Sequence, residues 1–200
     1  MLERGGFPHK NGGADLKTAV LVIDMVKDNL ELSRHPRMAQ RAESIVEPIN
    51  RLTREARQRD WPVIFSTDSF LEGDALFRGR MQEHSIRGSE GAEVTGLLEM
   101  TGEDMWLPKR RFSAFFKTDL DQTLRLKKVE RVAVCGLMTP YCVLTSALDA
   151  VALDFAAVIV EDASTAHKEE VHQSCLSFYR DGPLYPILAV RTVEEVLEEG

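Results

Sequence analysis

Val132-Ala133-Val134-Cys135, the turn Gly136-Leu137-Met138-Thr139-Pro140-Tyr141, and the helical pattern Cys142-Val143-Leu144-Thr145-Ser146-Ala147-Leu148 decide the fold. The first four residues are apolar without alternation. Such a run suits a strand buried on both faces, as in a parallel sheet. Moving outward, the same pattern recurs at 19–23, which ends on Asp24, and at 62–65, which ends on Ser66-Thr67-Asp68. It recurs more weakly at 105–107, then at 156–160, which ends on Glu161-Asp162, and at 185–190. Helical patterns fall between these runs. Ile45, Ile49, Leu52 and Ala56 share one helical face, where Pro48 should kink the helix or delay its start. Further helices are expected over 119–128, 142–153, 167–180 and 192–199. Alternating strands and helices predict a single three-layer α/β domain with right-handed crossovers over 16–200. Glycines 5, 6, 12 and 13 mark residues 1–15 as a flexible leader.

Composition narrows the function. The chain has 200 residues, 44% of them hydrophobic and 28% charged, as in an ordinary globular protein. A net charge of −7 argues against nucleic-acid or anionic-membrane partners, which want a basic face. No apolar run reaches the roughly 18 residues of a membrane span. The first residues carry no apolar signal core. Three cysteines, an odd and sparse set, argue against a disulfide framework and for a reducing, cytoplasmic setting.

Ligands bind such sheets beyond the carboxyl ends of the strands. The residues to read are therefore those following each run. Cys135 lies inside an apolar run and Cys175 in a helical pattern with Leu176 and Phe178, so both read as structural thiols. Cys142 opens a helical pattern after a turn. There the helix dipole and free N–H groups favour a thiolate and can hold an oxyanion. A nucleophilic thiol needs a base and a cation. Asp24 and Lys109 each follow a different strand and are the candidates, although an isolated Asp there is commonly a cap and an isolated Lys a surface group.

These residues carry a resemblance. Val20-Leu21-Val22-Ile23-Asp24-Met25, the segment from Lys109 to Phe115 with Thr118-Asp119-Leu120, and the segment from Cys135 to Val143 resemble, in this order, the three motifs of the isochorismatase-like cysteine hydrolases. The likeness spans about residues 18–190. It implies a six-stranded, mostly parallel sheet with helices on both faces. It implies a catalytic triad of Asp24, Lys109 and Cys142, with Asp24 moving the thiol proton and Lys109 stabilising the thiolate. It also implies a cis peptide at Leu137–Met138 and an oxyanion hole from the N–H groups of Met138 and Cys142. The substrate would be a small molecule and the enzyme a homo-oligomer, a dimer or tetramer. The expected activity is hydrolysis of a small amide, of nicotinamidase or carbamoyl-amidase type, through an acyl-thiol. The alternatives are hydrolysis of a vinyl ether and a non-catalytic binding subunit.

Nicotinamidases of this family carry a metal beside the triad, on an Asp-x-His motif and a later His. Asp68 and His84 match the outer positions, but Phe70 stands in the middle one. Zn²⁺ could then be held only with help from Asp74 or Glu83. Otherwise Asp68 is a strand-end cap and His84 a hydrogen-bonded pocket residue, and no cofactor is required. Phe70, Trp106, Phe112 and Tyr141 are expected to line the substrate pocket, with aromatic core as the alternative for Trp106 and Phe112. Phe115-Phe116 reads as packing, and His167 and His172 as solvent-facing.

Overall fold

The computed structural model describes residues 16–31, 33 and 36–200. The leader expected over 1–15 lies outside the described residues. Six strands form one sheet: β1 (Thr18–Ile23), β2 (Val63–Asp68), β3 (Met105–Lys109), β4 (Arg131–Leu137), β5 (Ala156–Thr165) and β6 (Leu188–Arg191). Their spatial order is β3-β2-β1-β4-β5-β6, and every neighbouring pair is parallel. The alternating elements therefore build the doubly wound sheet that the continuous apolar runs predict.

Seven helices cover the sheet among the described residues: α1 (Lys27–Leu30), α2 (Pro36–Ser44), α3 (Val46–Gln58), α4 (Leu120–Leu126), α5 (Leu144–Ala152), α6 (Glu169–Arg180) and α7 (Val193–Glu198). Strand alternation splits the core in two. Ala19, Leu21 and Ile23 of β1 face Leu124 of α4, Ala147 of α5 and Leu176 of α6. Val20 and Val22 face the other way, onto Ile49 and Leu52 of α3 and Val196 of α7. Each fully buried aliphatic side chain of this kind is worth about 1.5–3 kcal/mol. Pro48 falls in the first turn of α3, where a backbone N–H would lack a helical partner anyway, and it marks a late start. Asp162 lies within β5 rather than beyond it, and its carboxylate accepts from Val193 N at the start of α7.

The sheet changes direction between β1 and β4, which places a crevice beyond their carboxyl ends. Gly136 makes that junction possible. Its φ is +103°, and a Cβ there would sit 2.2 Å from the Ile23 carbonyl oxygen. Only glycine lets β4 approach β1 so closely at this point.

Candidate active site

Asp24 follows β1 with a φ of 53°, a left-handed conformation uncommon outside glycine and a frequent mark of functional positions. That geometry turns its carboxylate across the sheet edge. Asp24 Oδ1 accepts from Asp68 N at 2.8 Å. Asp24 Oδ2 accepts from Lys109 Nζ at 2.8 Å, and the same ammonium donates to Asp68 Oδ1 at 2.5 Å. Asp68 and Lys109 are register partners on β2 and β3, so sheet pairing delivers both groups to one place. Asn29, which no motif signalled, donates from Nδ2 to the Asp24 carbonyl at 2.8 Å and ties α1 to the same corner.

Cys142 arrives from the other side of the crevice. The Leu137–Met138 peptide is cis, and a five-residue π-type turn, Thr139–Val143, carries the thiol into the crevice ahead of α5. The Met138 carbonyl accepts from Tyr141 N at 2.9 Å and from Val143 N at 3.4 Å. Ser146 pins the end of the turn by donating to the Cys142 carbonyl at 2.7 Å, while its oxygen accepts from Ala114 N at 3.0 Å. The Cys142 sulfur and one oxygen each of Asp24 and Asp68 lie within 4.8 Å of one another. Asp24, Lys109 and Cys142 thus converge from three strand ends, as the sequence reading expects.

The electrostatics differ from the helix-terminus argument. Burial pushes the Cys142 thiol well above its ordinary value, and the Asp24 carboxylate adds to this, while Lys109 opposes it. Removal from water disfavours the charged form, so the thiol is favoured over the thiolate at rest. Burial and neighbouring Asp68 raise Asp24 to about 7, against the pull of Lys109. Burial alone would depress Lys109, but the Asp24 and Asp68 carboxylates outweigh it and hold the ammonium protonated above its ordinary range.

A cavity of about 470 Å³ opens over this group and is lined by Phe70, Phe112, Tyr141, His84, Arg80 and Met138, among others. Phe70 is buried in its wall, while Phe112 and Tyr141 are partly exposed, with ring centroids 6.2 Å apart. Trp106 is a correction. It points away from the cavity, 57% exposed, and donates to Thr67 Oγ1 at 2.9 Å. Strand alternation explains this, since the buried Leu107 and Lys109 flank positions of the opposite parity. Phe115 packs against Phe155, while Phe116 is half exposed. The histidines divide. Of these only His172 departs from the expectation: His167 precedes α6 and is exposed, as expected, at the rim of the cavity, whereas His172 is buried with Nδ1 2.8 Å from Thr139 Oγ1. The charged neighbours of His172 masked its inward position in the sequence.

The donors for a metal do not fit. His84 Nε2 faces Asp68 Oδ2 at 4.0 Å, and Nδ1–H donates to the Gln82 carbonyl at 2.9 Å. Among the described residues no third ligand joins this pair. The Phe70 ring fills the middle position, 5.3 Å from the His84 ring in an edge contact. Asp74 is buried under Arg110 and Arg111, whose guanidinium groups hold its carboxyl down at about 2. Glu83 accepts from Gly73 N. Between Asp24 and Asp68, the Lys109 ammonium already stands where a cation would. Two protein donors fall short of the three that a catalytic Zn²⁺ ordinarily takes.

Among the described residues no helix is long and apolar enough to cross a membrane. Residues 18–189 match the isochorismatase domain. The chain is 35% identical over 165 residues to an Arabidopsis thaliana protein named a probable inactive nicotinamidase, covering 78% of this chain and 84% of that one. Its backbone resembles that of an isochorismatase-like hydrolase from Alkaliphilus metalliredigens, with a TM-score of 0.79 and 27% identity over 91% of this chain and 98% of that one. It also resembles the N-carbamoylsarcosine amidase of Thermoplasma acidophilum, with a TM-score of 0.76 and 26% identity over 90% of this chain and 98% of the amidase.

Proposed function

Since the chain belongs to the isochorismatase family, whose members are hydrolases, we propose that it is a cysteine hydrolase of a small amide, of nicotinamidase or carbamoyl-amidase type. The observation that carries this reading is the meeting of Cys142 with the Asp24–Lys109 pair on the floor of the cavity. Asp24, poised near neutrality, takes the Cys142 proton as sulfur attacks the amide carbon. The resulting oxyanion is held by the N–H groups of Met138 and Cys142. The C–N bond then breaks, and the leaving nitrogen takes the proton from Asp24. Water, deprotonated by Asp24, attacks the acyl-thiol. The C–S bond breaks, the acid departs and sulfur recovers its proton. Lys109 stays protonated throughout, orienting Asp24 and offsetting charge on sulfur.

The Phe70 substitution favours chemistry that proceeds without a metal, and this keeps vinyl-ether hydrolysis as the second reading. The complete Asp24, Lys109 and Cys142 set weighs against a binding subunit, even though the Arabidopsis relative is named a probable inactive nicotinamidase. The test is an ammonia-release screen of nicotinamide, pyrazinamide and N-carbamoyl compounds, run beside isochorismate. Intact-mass spectrometry during turnover should trap an acyl adduct on Cys142. Full turnover by Cys142→Ala would overturn the mechanism, and turnover of isochorismate alone would favour the second reading.

A further inference from the structure

His172 takes no part in the proton movements above, yet it is buried against the turn that presents the nucleophile. It sits on α6, 5% exposed, with Nδ1 2.8 Å from the hydroxyl of Thr139, which is itself fully buried. Thr139 stands between Met138 and Cys142, the two residues whose N–H groups would receive the oxyanion. The far end of the turn is pinned by Ser146 on the Cys142 carbonyl. At the near end, the side-chain anchor is the Thr139–His172 bond, and the Thr139 carbonyl accepts from Leu144 N at the start of α5. A buried hydroxyl and a buried imidazole are each costly to leave unpaired, so the bond fixes both the Thr139 rotamer and the distance from α6 to the turn.

We propose that His172 is a positioning residue for the oxyanion-binding turn, acting through the Thr139 hydroxyl. The inference rests on the amidase reading for its catalytic consequence, though not for its geometry. Donors displaced by a fraction of an ångström lose much of their hold on developing charge while leaving substrate binding and the thiol itself intact. The effect should therefore appear in kcat and not in KM.

The experiment compares Thr139→Val and His172→Ala with the conservative Thr139→Ser and His172→Asn, each of which keeps a hydrogen-bonding group near the lost atom. Both disruptive variants should lose about 10–100-fold in kcat, with KM and the rate of Cys142 alkylation by iodoacetamide close to wild type. The conservative variants should recover most of kcat, and the double variant Thr139→Val/His172→Ala should be no worse than either single one. Hydrogen exchange of backbone amides 138–143 should rise in the disruptive variants only. Unchanged kcat in both disruptive variants overturns the proposal. So does a joint fall of kcat, thermal stability and alkylation rate, which is loss of packing and not positioning. If the wild type hydrolyses no amide, the amidase reading fails by itself. Exchange then decides the positioning, and unaltered exchange in Thr139→Val overturns it.

Discussion

Lys109 Nζ lies 2.8 Å from Asp24 Oδ2, with both side chains almost completely removed from solvent. The ammonium also binds Asp68, so one buried cation serves two buried carboxylates. Such an arrangement is costly to desolvate and tolerable only while its partners stay together. Burial first, and then the second carboxylate of Asp68, keep a proton near Asp24 at neutral pH.

Replacing the cation exposes that dependence. Lys109→Met should destabilise the fold by about 3–5 kcal/mol, because two carboxylates are left buried without a counter-charge. It should also abolish turnover. Lys109 pulls the Asp24 carboxyl downward, so without it Asp24 holds its proton more tightly and fails as a base. Urea unfolding and ammonia release check the two halves. Stability within about 1 kcal/mol of wild type would contradict the burial argument.

The pH dependence has a definite sign. Asp24 must be ionised to accept the thiol proton, so kcat/KM should rise with pH through about 7, the value to which burial and Asp68 lift it. Stability runs the other way. A carboxyl whose folded value stands above its unfolded 3.8 binds its proton more tightly in the fold, so its contribution is complete below 3.8 and is lost as pH climbs through about 7. Asp24→Asn should therefore be inactive, and its stability relative to wild type should improve from pH 4 to pH 8. A kcat/KM profile flat between pH 5.5 and 8.5, or a relative stability that falls over this range, contradicts the assignment.

Cys142 should behave as a base-assisted thiol and not as a standing thiolate. Burial holds its proton on, so spontaneous ionisation near neutrality is small. Alkylation by iodoacetamide should follow ionisation of Asp24, and Asp24→Asn should remove the step near pH 7. Peptide mass spectrometry distinguishes Cys142 from the partly exposed Cys175. An alkylation rate at Cys142 that is insensitive to Asp24→Asn would separate the two residues chemically.

The main frame of this site was legible in the sequence because it depends on strand ends. Unbroken apolar runs announced a parallel sheet, and the residues after them, Asp24, Lys109 and the segment leading to Cys142, meet where the strand order reverses. What stayed hidden depends on side-chain direction and loop path. His172 lies among charged residues; its i,i+4 spacing to the buried Leu176 puts it on the inner face of α6, but that spacing does not name Thr139 as its partner. Trp106 has the composition of a pocket residue but the wrong strand parity. Asn29 reaches the cavity from the single turn of α1 and Arg80 from an irregular segment, and both stretches are too short for a periodicity to describe. The protonation of the Cys142 thiol is a further property that local sequence does not carry. Proximity to a helix start is local, whereas the desolvation that governs it comes from the folded crevice.

Phe70 offers the test of why a metal does not fit. Its ring stands in edge contact with both Phe77 and His84, with centroids 5.2 and 5.3 Å away, and those contacts hold His84 toward Asp68 without supplying a third donor. Wild-type turnover should accordingly survive dialysis against a chelator and gain nothing from added Zn²⁺. Phe70→His places an imidazole beside Asp68 and His84 and completes a three-ligand set of the kind Zn²⁺ takes. That variant should retain one equivalent of Zn²⁺ after gel filtration, measured by elemental analysis, where the wild type retains almost none. It should also unfold at a higher temperature with Zn²⁺ present, by linkage. Part of this gain would be offset by the lost aromatic contacts, so the metal-free variant should be less stable than wild type by about 1–3 kcal/mol. Stoichiometric Zn²⁺ on the wild-type protein, removed together with activity by the chelator, would show that Asp68 and His84 recruit a ligand that the present donor geometry lacks.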